Sequence, residues 1–403
     1  MDPRAARSHR VKSENLLVHG DNLVALRWLA KNGFAKRFRC VYLDPPYNTG
    51  RTFAEYKDSR ASDDWVSMMR PRIEALAPLL ADDAAVFVEI DDTELARLTL
   101  LLDDVLGAKN RISTITIVRS ATTGHKAINA GPVHVSDFLL AYAKDRKAWR
   151  YRPQLRVREG LDPAYATWLD APNAPTATWT FRPLRRAVAE KLGYPTPREA
   201  ARALGKDAFA DAVVETALAN AEHVVRFAQP RYEAIAKAAQ RTVDRSRAQP
   251  DRVFVLEREE RAPFIVRGGN RILFLRDKVR VVDGRPSIVE PLTNVWTDVP
   301  FQGISREGGV VFTRNKKPEK LVARVLAMAS DPGDWVLDPF LGSGTTAAVA
   351  HKMGRRWVGI ESGDHARTLA EPRLQRVVRG EDTTGITKET GFAGGGGFEV
   401  MVL

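Results

Sequence analysis

The chain has 403 residues, 44% of them apolar, a formal net charge of +12 and a single cysteine, Cys40. That length suits one large domain or two ordinary ones, and one cysteine excludes a disulfide framework and a Cys-rich zinc site. No uncharged apolar run reaches the roughly eighteen residues of a membrane span, and the start, "MDPRAARSHRVKSEN", is basic and polar, unlike a secretory signal, so a cytoplasmic protein is expected. The positive charge is uneven. Residues 151–290 hold 25 Lys/Arg against 18 Asp/Glu, a net of +7. An excess of that kind suits a polyanionic partner, nucleic acid first, because neutralised phosphates release counterions.

In chain order, "NLLVHGD" (15–21) reads as a strand, and "NLVALRWLAK" (22–31) as a helix, from the spacing of its apolar residues. "RCVYLD" (39–44) is a second strand. "DDWVSMMRPRIEALAPLLA" (63–81) is helical with Pro71 and Pro78 as interruptions, "AAVFVEID" (84–91) a continuous apolar strand, and "TELARLTLLLDDVLG" (93–107) a helix. "RISTITIVR" and "VSDFLLAYAK" follow as strands. Such alternation implies βαβ units and a parallel sheet covered on both faces.

Near residue 150 the texture changes to Pro-rich joints, Ala-rich helical patterns ("PREAARALG", "FADAVVETALANAEHVVRFA") and short strands around a turn ("RILFLRDKVRVVDGRPSIV"). The α/β texture returns at about 310. "KPEKLVARVLAMAS" is a helix, "DWVLDPF" a strand, "LGSGTTAAVAHKMG" a loop and helix, "RRWVGIE" a strand, and "SGDHARTLAEPRLQRVV" a helix. The tail, "GFAGGGGFEVMVL", reads equally as a flexible linker or a last edge strand. One α/β domain is therefore expected to be split by an inserted, mainly helical module, with residues 1–149 and 295–403 as its halves and 150–294 as the insert.

"WVLDPFLGSGTTAAVA" (335–350) is a strand, a Gly-rich turn and a helix start. Gly342 and Gly344 allow backbone angles and close ligand approach that other residues do not. No Lys-Ser/Thr follows them, so this is not a nucleotide P-loop. Asp338 closes the strand before the loop, and Glu361 closes the next strand 23 residues later. An acid at about that distance holds ribose hydroxyls in Rossmann-like sites. Asp338 would repel a phosphate and suits a ligand with a cationic amino-acid head and a ribose, such as S-adenosylmethionine.

"LDPPYNTG" (43–50) ends an apolar strand on an acid, two prolines and an aromatic. A carboxylate and a backbone carbonyl stiffened by proline make two acceptors in fixed geometry, and a tyrosine beside them offers a stacking surface. Together they fit a planar ligand with an exocyclic amine, that is, a nucleobase. Two acceptors on such an amine localise its lone pair as it attacks a methyl donor.

With these motifs in order, the chain resembles a beta-class amino-methylating DNA methyltransferase, and its "LDPPYNTG" is similar to the form found in modification subunits of Type III restriction systems. "VHGDNLVALRWL", the segment from "KPEKL" to "RRWVGIE", and "GGGGFEVMVL" fit the same pattern. The resemblance covers about 1–145 and 295–403, and implies a doubly wound, Rossmann-like methyltransferase sheet, with the insert as a target-recognition module. It implies that Asp44 and the Pro45 carbonyl bind the target amine, that Pro46 shapes the turn, and that Tyr47 stacks on a flipped base. Phe340, Gly342, Ser343, Gly344 and Thr345 would form the S-adenosylmethionine loop, with Asp338 near the methionine end and Glu361 on the ribose. Lys317 and Pro318 would open a helix walling the methionine, and Asp21 and Asn22 would lie near the cofactor adenine or the base of the site. The implied partner is duplex DNA; a homodimer and a restriction subunit are allowed but not required. The implied reaction is methylation of adenine N6. The alternatives are cytosine N4 methylation, RNA methylation, a DNA-binding regulator without turnover, and the recognition subunit of a restriction complex. Asp44, where cytosine enzymes more often have Ser, favours adenine.

Other residues get plainer readings. Cys40 reads as core rather than nucleophile, which argues against cytosine C5 chemistry. His19, His125 and His134 are scattered, so no metal is expected. Trp168, Trp179 and Trp296 read as core or interface. Arg150, Arg152, Arg156 and Arg158 form a basic cluster, read evenly as a solvated face or as phosphate contacts.

Overall fold

The structure, a computed structural model, describes residues 15–49, 51–52, 57–58, 61–119, 132–282, 284–311 and 316–403. The expected histidine at position 125 lies outside them. The chain divides into two compact units, Met1–Gln154 with Leu292–Leu403, and Leu155–Pro291.

Among the described residues the first unit is built on a nine-stranded sheet. Its strands are β1 (Leu16–His19), β2 (Phe38–Leu43), β3 (Leu80–Ile90), β4 (Arg111–Val118), β5 (Ser136–Ala143), β6 (Val295–Trp296), β7 (Trp335–Asp338), β8 (Arg356–Glu361) and β9 (Glu399–Val402). Their spatial order is β6-β4-β5-β3-β2-β7-β8-β1-β9. Its helices are α1 (Asn22–Lys31), α2 (Ser62–Leu76), α3 (Leu95–Leu102), α4 (Glu319–Ala329), α5 (Thr345–Lys352) and α6 (Glu371–Val378).

The strand pattern explains why both faces are covered. Val41, Leu43, Val86, Val88, Leu337 and Ile360 point into one core with side chains of α1, α2 and α3. Cys40, Tyr42, Ala85, Phe87, Val336 and Trp357 point into a second core with α4, α5 and α6. Alternate residues of one strand thus feed opposite cores, which is why these strands read as unbroken apolar runs. This is the doubly wound α/β sheet expected. Cys40 is fully buried, and burial pushes its thiol up to about 12.

The structure differs from the sequence reading at three places in this unit and decides a fourth that the sequence left open. The sheet is not wholly parallel, since β5 runs antiparallel between β3 and β4. Pro71 does not interrupt α2: Trp65, Met69, Ile73 and Leu76 are fully buried along one face, and that packing outweighs the missing backbone bond. Pro78 does end the helical segment, and β3 then starts at Leu80, which pairs with Phe38, rather than at 84. The tail forms an edge strand, β9, parallel to β1.

The second unit is not mainly helical. Four helices, Leu184–Lys191, Pro197–Leu204, Lys206–Ala219 and Lys237–Ala248, accompany a six-stranded and a three-stranded sheet. Its strands are three to seven residues long and rich in arginine, for example Val253–Arg258 paired with Arg261–Arg267. Charges at Arg258, Arg261 and Arg267 mask the apolar alternation on which a strand reading rests. Trp168 is buried here against His223, ring centroids 4.7 Å apart, and Trp296 is fully buried in the first unit.

Candidate active site

β1, β2, β7 and β8 are mutually parallel or linked through parallel neighbours, so their carboxyl ends share one edge of the sheet. Asp21, Asp44, Asp338 and Glu361 all emerge there. Ligands in open α/β sheets bind at such an edge. A cavity of about 310 Å³ lies at it, lined by these four acids together with Asn22, Pro46, Lys317, Phe340, Gly342, Ser343 and Thr345. Predicted site residues far apart in sequence are thereby brought into one wall. Pro45, Tyr47, Pro318 and Gly344 are not part of that lining.

The loop after β7 is shaped by two glycines at positive φ, Gly342 (+57°) and Gly344 (+82°), the latter capping α5. A Cβ on Gly342 would meet nothing within 4 Å, so backbone angle rather than space demands glycine there. Glu361 clamps this loop from β8. Its Oε2 accepts from the Gly342 N–H at 2.8 Å, and its Oε1 accepts from the Gly363 N–H at 2.9 Å and faces His365 Nε2 at 3.2 Å. Burial would raise the Glu361 carboxyl, but His365 and the two amides outweigh it and hold it below the usual range. Asp338 is 2% exposed and accepts from the Phe340 N–H at 2.9 Å. Burial pushes it up to about 7, against the Thr346 and Phe340 hydrogen bonds.

Two arginines that the sequence reading missed, Arg72 and Arg373, hold this wall together. Asp21 caps α1 through the N–H groups of Leu23 and Val24. Arg72, from α2, donates to Asn22 Oδ1 at 2.6 Å and to Asp21 Oδ2 at 3.0 Å, while the Asn22 amide donates to the Pro339 carbonyl at 2.9 Å. Arg373, fully buried on α6, donates to Thr345 Oγ1 at 2.7 Å and to the Ser343 carbonyl at 3.3 Å, and so ties down the glycine loop. Nothing local marks Arg72 or Arg373, because each is one arginine among many on a helix.

At the other end of the cavity lies the Asp-Pro-Pro-Tyr turn. The indole of Trp65 donates to the Pro46 carbonyl at 2.7 Å and pins the turn, and Pro45 is buried. Tyr47 is 8% exposed and sits in the core, its hydroxyl accepting from Lys317 Nζ at 2.5 Å. Its ring is thus not displayed to the cavity as the stacking expectation would have it. Lys317 lines the cavity and also reaches this turn. Its ammonium lies 3.1 Å from Asp44 Oδ1 and donates to Glu89 Oε1 at 2.8 Å. Glu89 is fully buried on β3 and accepts from the Tyr42 hydroxyl through its other oxygen. A lone acid inside the apolar run "AAVFVEI" was the signal for Glu89, since an unpaired carboxylate is costly there. Burial pushes Asp44 up and the Lys317 charge pulls it down, leaving it at about 6.

The arginine cluster is divided. Arg150 and Arg152 belong to the first unit, where Arg152 pairs with Asp331. Arg156 and Arg158 belong to the second, where both pair with Glu290 at 2.6 and 2.9 Å. Among the described residues no group of three or more His, Cys, Asp or Glu side chains could hold a metal ion, and no helix is long and apolar enough to cross a membrane.

The model of a family described as DNA methylase (N6_N4_Mtase) matches residues 38–204 and 229–372. The "Probable type III restriction-modification enzyme HindVI Mod subunit" of Haemophilus influenzae is 30% identical over 417 residues, covering 96% of this chain and 53% of that protein. The type II methyltransferase M.EcaI of Enterobacter cloacae is 25% identical, covering 86% of this chain and 66% of that one. The StyLTI Mod subunit of Salmonella typhimurium is 24% identical, covering 83% and 49%. The chain thus spans about half the length of the Mod subunits it matches. Among solved structures, the M1.HpyAVI–SAM complex aligns with a TM-score of 0.43 at 11% identity over 89% of this chain and 98% of that one. The cytosine-N4-specific PvuII DNA methyltransferase aligns at 0.44 and 11% over 91% and 88%. With a family model matched over most of its length, this chain belongs to the DNA methylase family.

Proposed function

We propose that the chain transfers a methyl group from S-adenosylmethionine to the N6 amine of adenine in a specific duplex DNA sequence. The observation that carries the reading is a single cavity in which a glycine loop clamped by Glu361 and the Asp44 carboxylate face the same space. The residues fit the cofactor. Four carboxyls, Asp21, Asp44, Asp338 and Glu361, stand against Arg72, Lys317 and His365 in the wall, and that excess of acids suits a cationic amino-acid head better than a polyphosphate. Glu361 is ionised and available to ribose hydroxyls, Asp338 is held by the loop it starts, and Gly342 leaves the backbone open to close approach. When bound there, S-adenosylmethionine supplies an electrophilic methyl group.

The chain's own residues would do the rest. Asp44 accepts a hydrogen of the target amine, with the Pro45 carbonyl as second acceptor. The amine lone pair is thereby withdrawn from the ring and aimed at the donor. The amine of a stacked, paired base cannot reach Asp44, so the base must leave the duplex. Tyr47 would have to turn out of the core to stack on it. The second unit would read the target. On its helix Lys237–Ala248, Lys237, Arg241 and Arg245 are exposed at helical spacing and suit phosphates, whereas Arg156 and Arg158 are already paired with Glu290. A protein acting on chromosomal DNA in this way belongs in the cytoplasm, and neither a restriction subunit nor a second copy is needed for the chemistry.

Long-read sequencing of DNA from a methylation-free host expressing this chain tests the reading. Methylated adenine in one sequence context is expected. Modified cytosine would move the chemistry to N4, and unmodified DNA from soluble protein would overturn the reading for the chain acting alone.

A further inference from the structure

Lys317 is the most heavily committed cation of the site. Its ammonium has three N–H groups and three oxygen neighbours: Tyr47 hydroxyl at 2.5 Å, Glu89 Oε1 at 2.8 Å and Asp44 Oδ1 at 3.1 Å. It also lies 4.8 Å from the centre of the Tyr47 ring. The side chain is 7% exposed, that of Glu89 0%, and that of Asp44 21%. Asp44 is therefore the member of the group that a ligand can reach.

Two roles are open to such a lysine. It could occupy the place of the target amine and be displaced by it, or it could stay and hold Asp44 in its working state. The geometry favours the second. Displacement would strip the fully buried Glu89 of its cation, and an uncompensated buried carboxylate is strongly destabilising. The contact that would remain to Glu89, the Tyr42 hydroxyl on its other oxygen, carries no charge to replace the ammonium.

We propose that Lys317, fixed by Glu89, is a positioning residue for Asp44: it keeps that carboxylate charged and orients it as acceptor for the target amine. This deepens the function proposed above and rests on it. The charge balance shows why a cation is required. Asp44 faces Glu89 from β3, Asp137 from β5 and Asp338 from β7, with the hydroxyls of Tyr42 and Tyr47 nearby. Asp137 is fully buried and has its own cation, Arg119, at 2.9 Å. Lys317 thus stands alone in facing Asp44 with a positive charge among these groups. Burial and the Glu89 carboxylate push Asp44 toward the protonated form, and Lys317, helped by a hydrogen bond from Tyr47, opposes them, with about 6 as the outcome. A protonated Asp44 has lost its negative charge and turned one oxygen into a donor, so it stabilises the positive charge developing on the amine far less. Activity should therefore fall as pH drops through about 6 in the native chain, and removal of Lys317 should move that loss to higher pH.

The test measures two things on the full chain and on the Lys317→Met, Lys317→Arg and Glu89→Gln/Lys317→Met variants. One is the ionisation midpoint of Asp44 by NMR of protein labelled with ¹³C at aspartate side-chain carboxyls, the Asp44→Asn spectrum identifying the signal. The other is the pH dependence of single-turnover methyl transfer to DNA. In Lys317→Met both midpoints should rise by about one pH unit or more, and Lys317→Arg should restore most of the shift. The double variant removes the buried carboxylate with its cation, which guards against a misfolded single variant, and it should still titrate above the native chain. Unchanged midpoints in Lys317→Met, or in the double variant should the single one fail to fold, overturn the proposal. The NMR midpoint decides it even if the native chain methylates no DNA, an outcome that would sink the proposed function separately.

Discussion

The two units handle charge in opposite ways. In the first, Glu89, Lys317, Glu319, Lys352, Asp338 and Arg373 are all buried, and they bind one another or the glycine loop. In the second, among the described residues, the buried polar side chains are Thr242 and Ser246, neither of them charged. Its many arginines lie at the surface, often across ring faces, as Arg276 does over Phe274 at 4.3 Å and Arg185 over Phe209 at 4.8 Å. Burying a charge is costly unless it is fully partnered. The first unit accepts that cost around its cavity, where fixed charges in a low dielectric act strongly on a reacting group. The second keeps its charges solvated, where they attract a polyanion over longer range and are weakened by salt. On the function proposed above, the contrast separates a place for chemistry from a place for recognition.

Four variants probe that separation, from the largest expected effect to the smallest. Asp44→Ala should lower methyl transfer by about 10³-fold while cofactor affinity, read by calorimetry, changes little. A parallel loss of cofactor binding would mean that Asp44 belongs to the cofactor wall instead. Gly342→Val places a β-branched residue at φ +57°, and cofactor affinity should fall by about 10²-fold from strain and steric filling of the loop. Unchanged affinity would remove the glycine loop from the binding site. In the second unit, Lys237→Ala with Arg241→Ala should leave cofactor affinity alone and reduce the salt slope of DNA binding by about 1.8. Arg156→Ala with Arg158→Ala should reduce it by less than about 1, because Glu290 already neutralises part of that charge. An equal effect of the two pairs would mean that the Glu290 pairing is given up on DNA.

Local pattern carried much of the first unit. Strands that feed two cores must be apolar at nearly every position, so β2, β3, β7 and β8 were readable as runs, and the acids closing β2, β7 and β8 stood out against them. The second unit was harder to read because short strands studded with arginine lack that contrast, and its helices are the part that local composition does reveal. Pro71 was misread as an interruption because the compensation lies in buried contacts of Trp65, Met69, Ile73 and Leu76, which no local signal reports. The tail could be settled only by β1, the strand it pairs with.

By itself the sequence determined the α/β class, the insertion near 150, and the identities of Asp44, Asp338, Glu361 and the glycine loop. These depend on residue type, periodicity and short spacings, which are properties of a few consecutive residues. Tertiary structure alone decided that Lys317 and Glu89 meet Asp44 across 273 and 45 positions of chain, that Arg72 joins Asp21, that Tyr47 turns inward, and that three of the four clustered arginines are already paired. Those outcomes depend on which distant groups share a buried volume and must satisfy one another's charge, and a parallel sheet brings such groups to one edge from remote parts of the chain.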